Sequence, residues 1–287
     1  MEKKSKGKIR YLAERDLNIF EKRYNINWDV RYKLLENWKK NAINGLPIAN
    51  DFLHSEKVQT AISGCDVKFD SIFIHMDFGL YKIFSFLKKK GKFFPYAERN
   101  TTGKILMNGY YILAAAGALT GDIKVDHDVF LITLFHEIHH DIRIGIFQYL
   151  GWYLRTWKCE VRKLSFGKCK KAIQELNRNK KFIRYCEEIR SDVLAFRDLR
   201  LQYEKNKEIF TTEYEEKLLK IREGFDADPT KDGATHPSRK YRSDCVRCQI
   251  LDDNMVYKTA MYCGIENKEF IKFVQNFYKD KKDFDVN

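Results

Sequence analysis

Proline is scarce in this chain, with four in 287 residues. An internal proline removes a backbone donor and breaks a helix, so its rarity leaves room for long helices. Long apolar runs are missing too. A spanning helix needs roughly 20 consecutive apolar residues, and the longest candidate, Tyr110 to Leu119, falls well short. No membrane span is expected. The opening Met1-Glu2-Lys3-Lys4-Ser5-Lys6-Gly7-Lys8 has no apolar core of the kind a secretory signal carries. The seven cysteines (Cys65, Cys159, Cys169, Cys186, Cys245, Cys248 and Cys263) are odd in number and scattered. These absences argue against a disulfide-stapled secreted domain and point to a reducing cytoplasm. Cys245-Val246-Arg247-Cys248 is a single C-x-x-C with no second pair or matching histidine. A structural zinc is therefore not expected there, and a pair in a helical core is. No internal repeat, low-complexity segment or nucleic-acid-binding module is visible.

What the chain has is apolar bulk and positive charge. Its apolar content of 44%, with 21 phenylalanines and 16 tyrosines, is enough for a sizeable core in one large or two modest domains. The net charge is +13. One basic run is Lys88-Lys89-Lys90-Gly91-Lys92, and Arg178, Lys180, Lys181 and Arg184 form another. A solvated lysine-rich surface is the first reading of this charge, an acidic protein partner the second and nucleic acid the third.

The most informative stretch is His136-Glu137-Ile138-His139-His140, an H-E-x-x-H motif. Apolar residues at 130, 131, 134, 135, 138 and 142 follow helical spacing around it, with Asp126 or Asp128 as the expected N-cap. On a helix, His136 and His140 leave the same face and can share one zinc ion. Glu137 then sits where a general base can reach a water on that ion, which is the equipment for peptide hydrolysis. The plainer reading is a helix with core and surface histidines. Three histidines within five residues and a glutamate at the required place weigh against it. His139 points away from His140 and reads as a surface or supporting residue.

A catalytic zinc site needs a third protein ligand. Cys186-Glu187-Glu188-Ile189-Arg190-Ser191-Asp192 supplies candidates. Glu188 and Asp192 share a helical face, so Glu188 can ligate while Asp192 orients a ligand histidine through its second nitrogen. Alone, this segment reads as solvated charge, and register does not exclude Glu187 as the ligand. A third fragment, Thr235-His236-Pro237-Ser238-Arg239-Lys240-Tyr241-Arg242, follows an acidic loop that runs from Asp226 to Gly233. Pro237 is expected in the first turn of a helix, with His236 at its entrance and able to reach a cleft.

In this order the three fragments resemble the gluzincin metalloproteases that include HtpX and the CAAX prenyl proteases. That family carries H-E-x-x-H, then E-x-x-A-D, then H-P-x-x-x-x-R. Ser191 stands where the family usually has alanine. The likeness is nearer to the soluble phage-exclusion proteases of the Lit type and covers about residues 100–250. It implies Zn2+ held by His136, His140 and Glu188, with Asp192 in support and Glu137 as the base. It also implies that His236 and Arg242 contact the substrate backbone or the developing oxyanion. Asn108-Gly109-Tyr110 is similar to an Asn-Ala-aromatic element of the prenyl proteases, which would make Asn108 a substrate contact. The implied activity is a zinc endopeptidase acting on a cytoplasmic protein. In the phage-exclusion case this is a suicide protease that cuts a host translation elongation factor after a phage-derived activator appears.

The fold expected is mainly α with a small β-sheet (α+β), a zincin-like core built on the H-E-x-x-H helix. Residues 1–100 form an N-terminal helical or mixed region and 101–287 the protease domain. Helices are expected over 10–45, over 127–158 with an interruption near Gly145 or Gly151, and over 168–205, 211–224, 238–260 and 267–280. A strand is expected near 67–74, and Ile105 to Ala116 reads as a strand pair or an edge strand. The rival reading is a metal-stabilised sensor or adaptor without catalysis, binding an acidic partner or nucleic acid through the basic surface.

Overall fold

The computed structural model describes residues 48–68, 97–99, 104–107, 111, 114–117, 119–140, 166–224, 228–233 and 236–279. Asn108, the basic run at 88–92 and the helix expected over 10–45 lie outside the described residues. The described elements are α1 (Glu56–Ala61), β1 (Val67–Lys68), β2 (Ala97–Arg99), β3 (Ile105–Met107), α2 (Ile123–His139), α3 (Phe166–Lys205), α4 (Thr212–Glu223), α5 (Arg239–Arg247), α6 (Asp252–Cys263) and α7 (Lys268–Lys279). Among the described residues the chain is mainly α with one small sheet. Cα packing divides it into two compact units: Met1–Ile138 with Gln202–Phe225, and His139–Leu201 with Asp226–Asn287.

In the first unit the sheet order is β1-β3-β2. β3 runs parallel to β1 and antiparallel to β2, with Val67 opposite Ile105 and Arg99 also opposite Ile105. Among the described residues β3 is therefore the central strand, a correction to its reading as an edge. Tyr111, Ala114 and Ala115 are helical rather than extended. α2 is the core of this unit. Val125, Val129, Phe130, Ile132 and Leu134 are fully buried, and a helix apolar on nearly all sides belongs inside a protein. Its start corrects the expected cap. The Asp122 carboxylate accepts from the amides of Lys124 and Val125, each at 3.2 Å, whereas Asp126 and Asp128 lie within the helix. Gly117 takes φ +68°, and a Cβ there would come within 2.7 Å of Ile123 Cγ1. Only glycine lets the preceding turn close on the helix start. Asp126 folds that same turn back, accepting from the amides of Leu119 and Thr120 and the Thr120 hydroxyl.

The second unit is built on α3, whose Phe182, Tyr185, Cys186, Ile189, Ala195, Phe196 and Leu199 are buried. Phe182 meets Phe270 of α7 edge to face at 5.9 Å, and α6 packs on α7. The single helix expected over 238–260 is two helices, α5 and α6. Gln249 interrupts them with φ 47°. Pro237 stands one residue before the N-cap rather than in the first turn. The cap is Ser238, whose hydroxyl accepts from the Tyr241 amide at 3.2 Å. The C-x-x-C pair splits, since Cys245 is buried in α5 and Cys248 is exposed.

Candidate metal centre

The last turn of α2 carries the candidate ligands. His136 and Glu137 are each 5% exposed, and His140 follows directly after the helix end. The ligand atoms of His136, Glu137 and His140 all lie within 4.8 Å of one another. Two imidazole nitrogens and a carboxylate oxygen at that spacing form a donor set that could hold a divalent ion. Two arginines keep the helix end in place by satisfying carbonyls that have no intrahelical donor. Arg99 of β2 donates to the Ile138 carbonyl at 2.7 Å, and Arg190 of α3 reaches the His139 carbonyl at 3.5 Å. The His139 side chain is turned to Asp198, with Nε2 and Oδ2 2.6 Å apart.

α3 presents a run of buried polar residues that is rare in a helix interior: Glu187, Glu188, Ser191 and Asp192 are each at most 9% exposed. Buried groups of this kind need partners, and theirs divide the work. Glu187 accepts from the Tyr278 hydroxyl at 2.8 Å. Glu188 turns the other way, with Oε1 3.5 Å from His140 Nε2. The three residues whose ligand atoms all lie within 4.8 Å of one another are His136, Glu137 and His140, and Glu188 meets this group through His140. The two glutamates that register alone left open thus have different partners. Ser191 Oγ lies 3.3 Å from His140 Nδ1.

α5 closes on the other oxygen of Glu188. Arg242, 3% exposed, places Nη2 3.2 Å from Glu188 Oε2 and Nε 2.5 Å from Asp192 Oδ2. His236 Nε2 lies 3.2 Å from Glu188 Oε1, with half of its side chain open to solvent. The His236 loop is anchored by Asp232. That carboxylate accepts from the Tyr262 hydroxyl at 2.6 Å, the Ser238 amide at 3.0 Å and Lys181 Nζ at 3.0 Å. Burial pushes the Asp232 carboxyl up, and these donors more than offset it, so it stays below its ordinary range. Tyr185 adds a hydrogen bond to the Gly233 carbonyl at 2.9 Å, and the Tyr241 and Tyr262 rings stack 3.8 Å apart.

Known families, curated proteins and solved structures give no match to this chain. The site therefore stands on its own geometry.

Of the residues expected from sequence, His136, Glu137 and His140 come together at the end of α2. Glu188, Asp192, His236 and Arg242 form one connected cluster that meets His140. Asn108 lies outside the described residues. Sequence reasoning missed Asp232, read as plain loop charge, and Ser191, read as a tolerated small-for-small exchange. It also missed that Lys181 of the second basic run is committed to Asp232. Among the described residues no other group of histidine, cysteine and carboxylate side chains could hold an ion, and no helix is long and apolar enough to cross a membrane.

Proposed function

We propose that the chain is a zinc-dependent endopeptidase of the gluzincin type that hydrolyses a peptide bond in a cytoplasmic protein. The supporting observation is the convergence of His136, Glu137 and His140 within 4.8 Å at the end of a buried helix. His136, His140 and Glu188 would hold the ion. A bound Zn2+ supplies a Lewis acid and lowers the pKa of its water toward neutrality.

Glu137 accepts the proton of the attacking water and passes it to the leaving amine. His236, half exposed beside Glu188, donates to the oxyanion that develops on the scissile carbonyl. Arg242 is too deeply buried to meet substrate first. Engaged by Glu188 and Asp192, it holds the ligand carboxylate by its second oxygen. The resemblance to phage-exclusion proteases extends the proposal to a suicide protease that cuts a translation elongation factor once a phage-derived activator is present.

The test is Glu137→Gln in the full chain, with metal content and cleavage measured together. We expect retained zinc and a cleavage rate lower by at least about 10²–10⁴-fold. Proteomics of cells expressing the two forms identifies the substrate. Retained zinc with wild-type cleavage would remove Glu137 as the base, and lost zinc would make it a ligand instead. The net charge of +13 favours one rival, an adaptor that grips an acidic partner without catalysis. In that case Glu137→Gln keeps the full biological effect.

A further inference from the structure

We propose that Ser191 is a positioning residue for His140, fixing the ring so that Nε2 is the atom offered to the metal. The inference deepens the metal-site reading above and rests on it.

Ser191 is fully buried, and its Oγ lies 3.3 Å from His140 Nδ1. The opposite nitrogen of the same ring, Nε2, faces Glu188 Oε1 at 3.5 Å. An imidazole that coordinates through Nε2 must carry its proton on Nδ1, and that N–H needs an acceptor to hold both tautomer and ring plane. Ser191 Oγ is placed to be that acceptor. Residues three apart on a helix are surface neighbours, so one turn of α3 delivers Glu188 to one edge of the ring and Ser191 to the other.

The usual partner for such an N–H is a carboxylate or a carbonyl. Asp192, the next residue along, was expected to play that part for a ligand histidine. Its Oδ2 lies 2.5 Å from Arg242 Nε. A neutral hydroxyl then orients the His140 ring without adding charge to it. The ligand stays less basic than a carboxylate-backed histidine.

The experiment uses the full chain, wild type and Ser191→Ala, with two readouts. The first is Zn2+ affinity by competition with a chromophoric chelator. The second is 15N NMR of the His140 ring in metal-free protein. Alanine removes one oxygen and leaves the backbone of α3 unchanged, so the variant keeps its helical content. We expect Ser191→Ala to bind zinc about 10–100-fold more weakly. We also expect His140 to be in the Nδ1–H form in the wild type and to become a mixture of tautomers in the variant. Equal zinc affinity in the two proteins overturns the inference. So does weaker binding with an unchanged tautomer, which would trace the loss to packing alone. A wild-type protein that takes up no zinc overturns the metal-site reading and this inference with it.

Discussion

Asp126 is a carboxylate enclosed near the start of a buried helix, fully shielded from solvent. Burial pushes its pKa from the ordinary 3.8 up to about 6, and hydrogen bonds from Thr120 and Leu119 offset part of that rise. The native state therefore holds the proton more tightly than the unfolded chain does. The stabilisation this gives is fully present below about pH 4 and is lost as pH rises toward 6. At about 1.4 kcal/mol per pKa unit the loss is on the order of 2–3 kcal/mol. Other groups titrate in the same window, so the difference between proteins is the quantity to measure. Urea unfolding of wild type and Asp126→Asn at pH 4, 5 and 6 supplies it. We expect wild type to lose stability across the window relative to the variant, which has no proton to release. Parallel pH profiles would show that the side chain is not held as described. Neighbouring Asp128 is also pushed up by burial, with the hydroxyls of Tyr203 and Tyr214 pulling it back down.

At the scale of the element, α2 is held by its cap and by a tie through Asp128. Removing an N-cap oxygen typically costs about 1 kcal/mol, which is the loss expected for Asp122→Ala. Tyr203, in the last turns of α3, and Tyr214 of α4 both donate to Asp128 Oδ2, the latter at 2.7 Å. Tyr203→Phe takes one donor from a buried carboxylate, and hydrogen bonds to charged groups are worth about 1.5–3 kcal/mol. We therefore expect Tyr203→Phe to destabilise more than Asp122→Ala in chemical denaturation. The reverse order would mean that the tie is weaker than its geometry. The same residues explain what could be read beforehand. Helical spacing located α2, α3, α4 and α7, because periodicity is local. It could not choose among three aspartates in seven residues for the cap. Asp126 and Asp128 are taken inward by Thr120, Tyr203 and Tyr214, partners that periodicity does not reveal. The H-E-x-x-H donors were legible for the same reason of locality. Glu187 meets Tyr278 where Glu188 meets His140, and the role of Ser191 depends on the rotamer of His140. Neither leaves a trace in spacing. The break between α5 and α6 falls at Gln249, a non-glycine residue with positive φ, and no turn signature announced it.

For the molecule as a whole, a metal that binds the native chain and not the unfolded one must raise its stability by mass action. The gain is about 2.7 kcal/mol when free metal is a hundredfold above its dissociation constant. Wild type should therefore unfold at a higher denaturant midpoint with added Zn2+, and a chelator should return it to the metal-free value. Glu188 complicates the simplest variant. Its carboxylate is also the partner of Arg242 and His236, and deleting one member of a buried ion pair commonly costs about 3–5 kcal/mol. A lower midpoint in Glu188→Gln is thus expected even without metal and says nothing about ligation. The informative quantity is the zinc-induced increment within each protein, which cancels the loss of the ion pair. We expect a clear increment in wild type, a much smaller one in Glu188→Gln and one close to wild type in Glu137→Gln. An increment equal in wild type and Glu188→Gln would remove Glu188 from the ligand set, and no increment in wild type would end the metal-site reading.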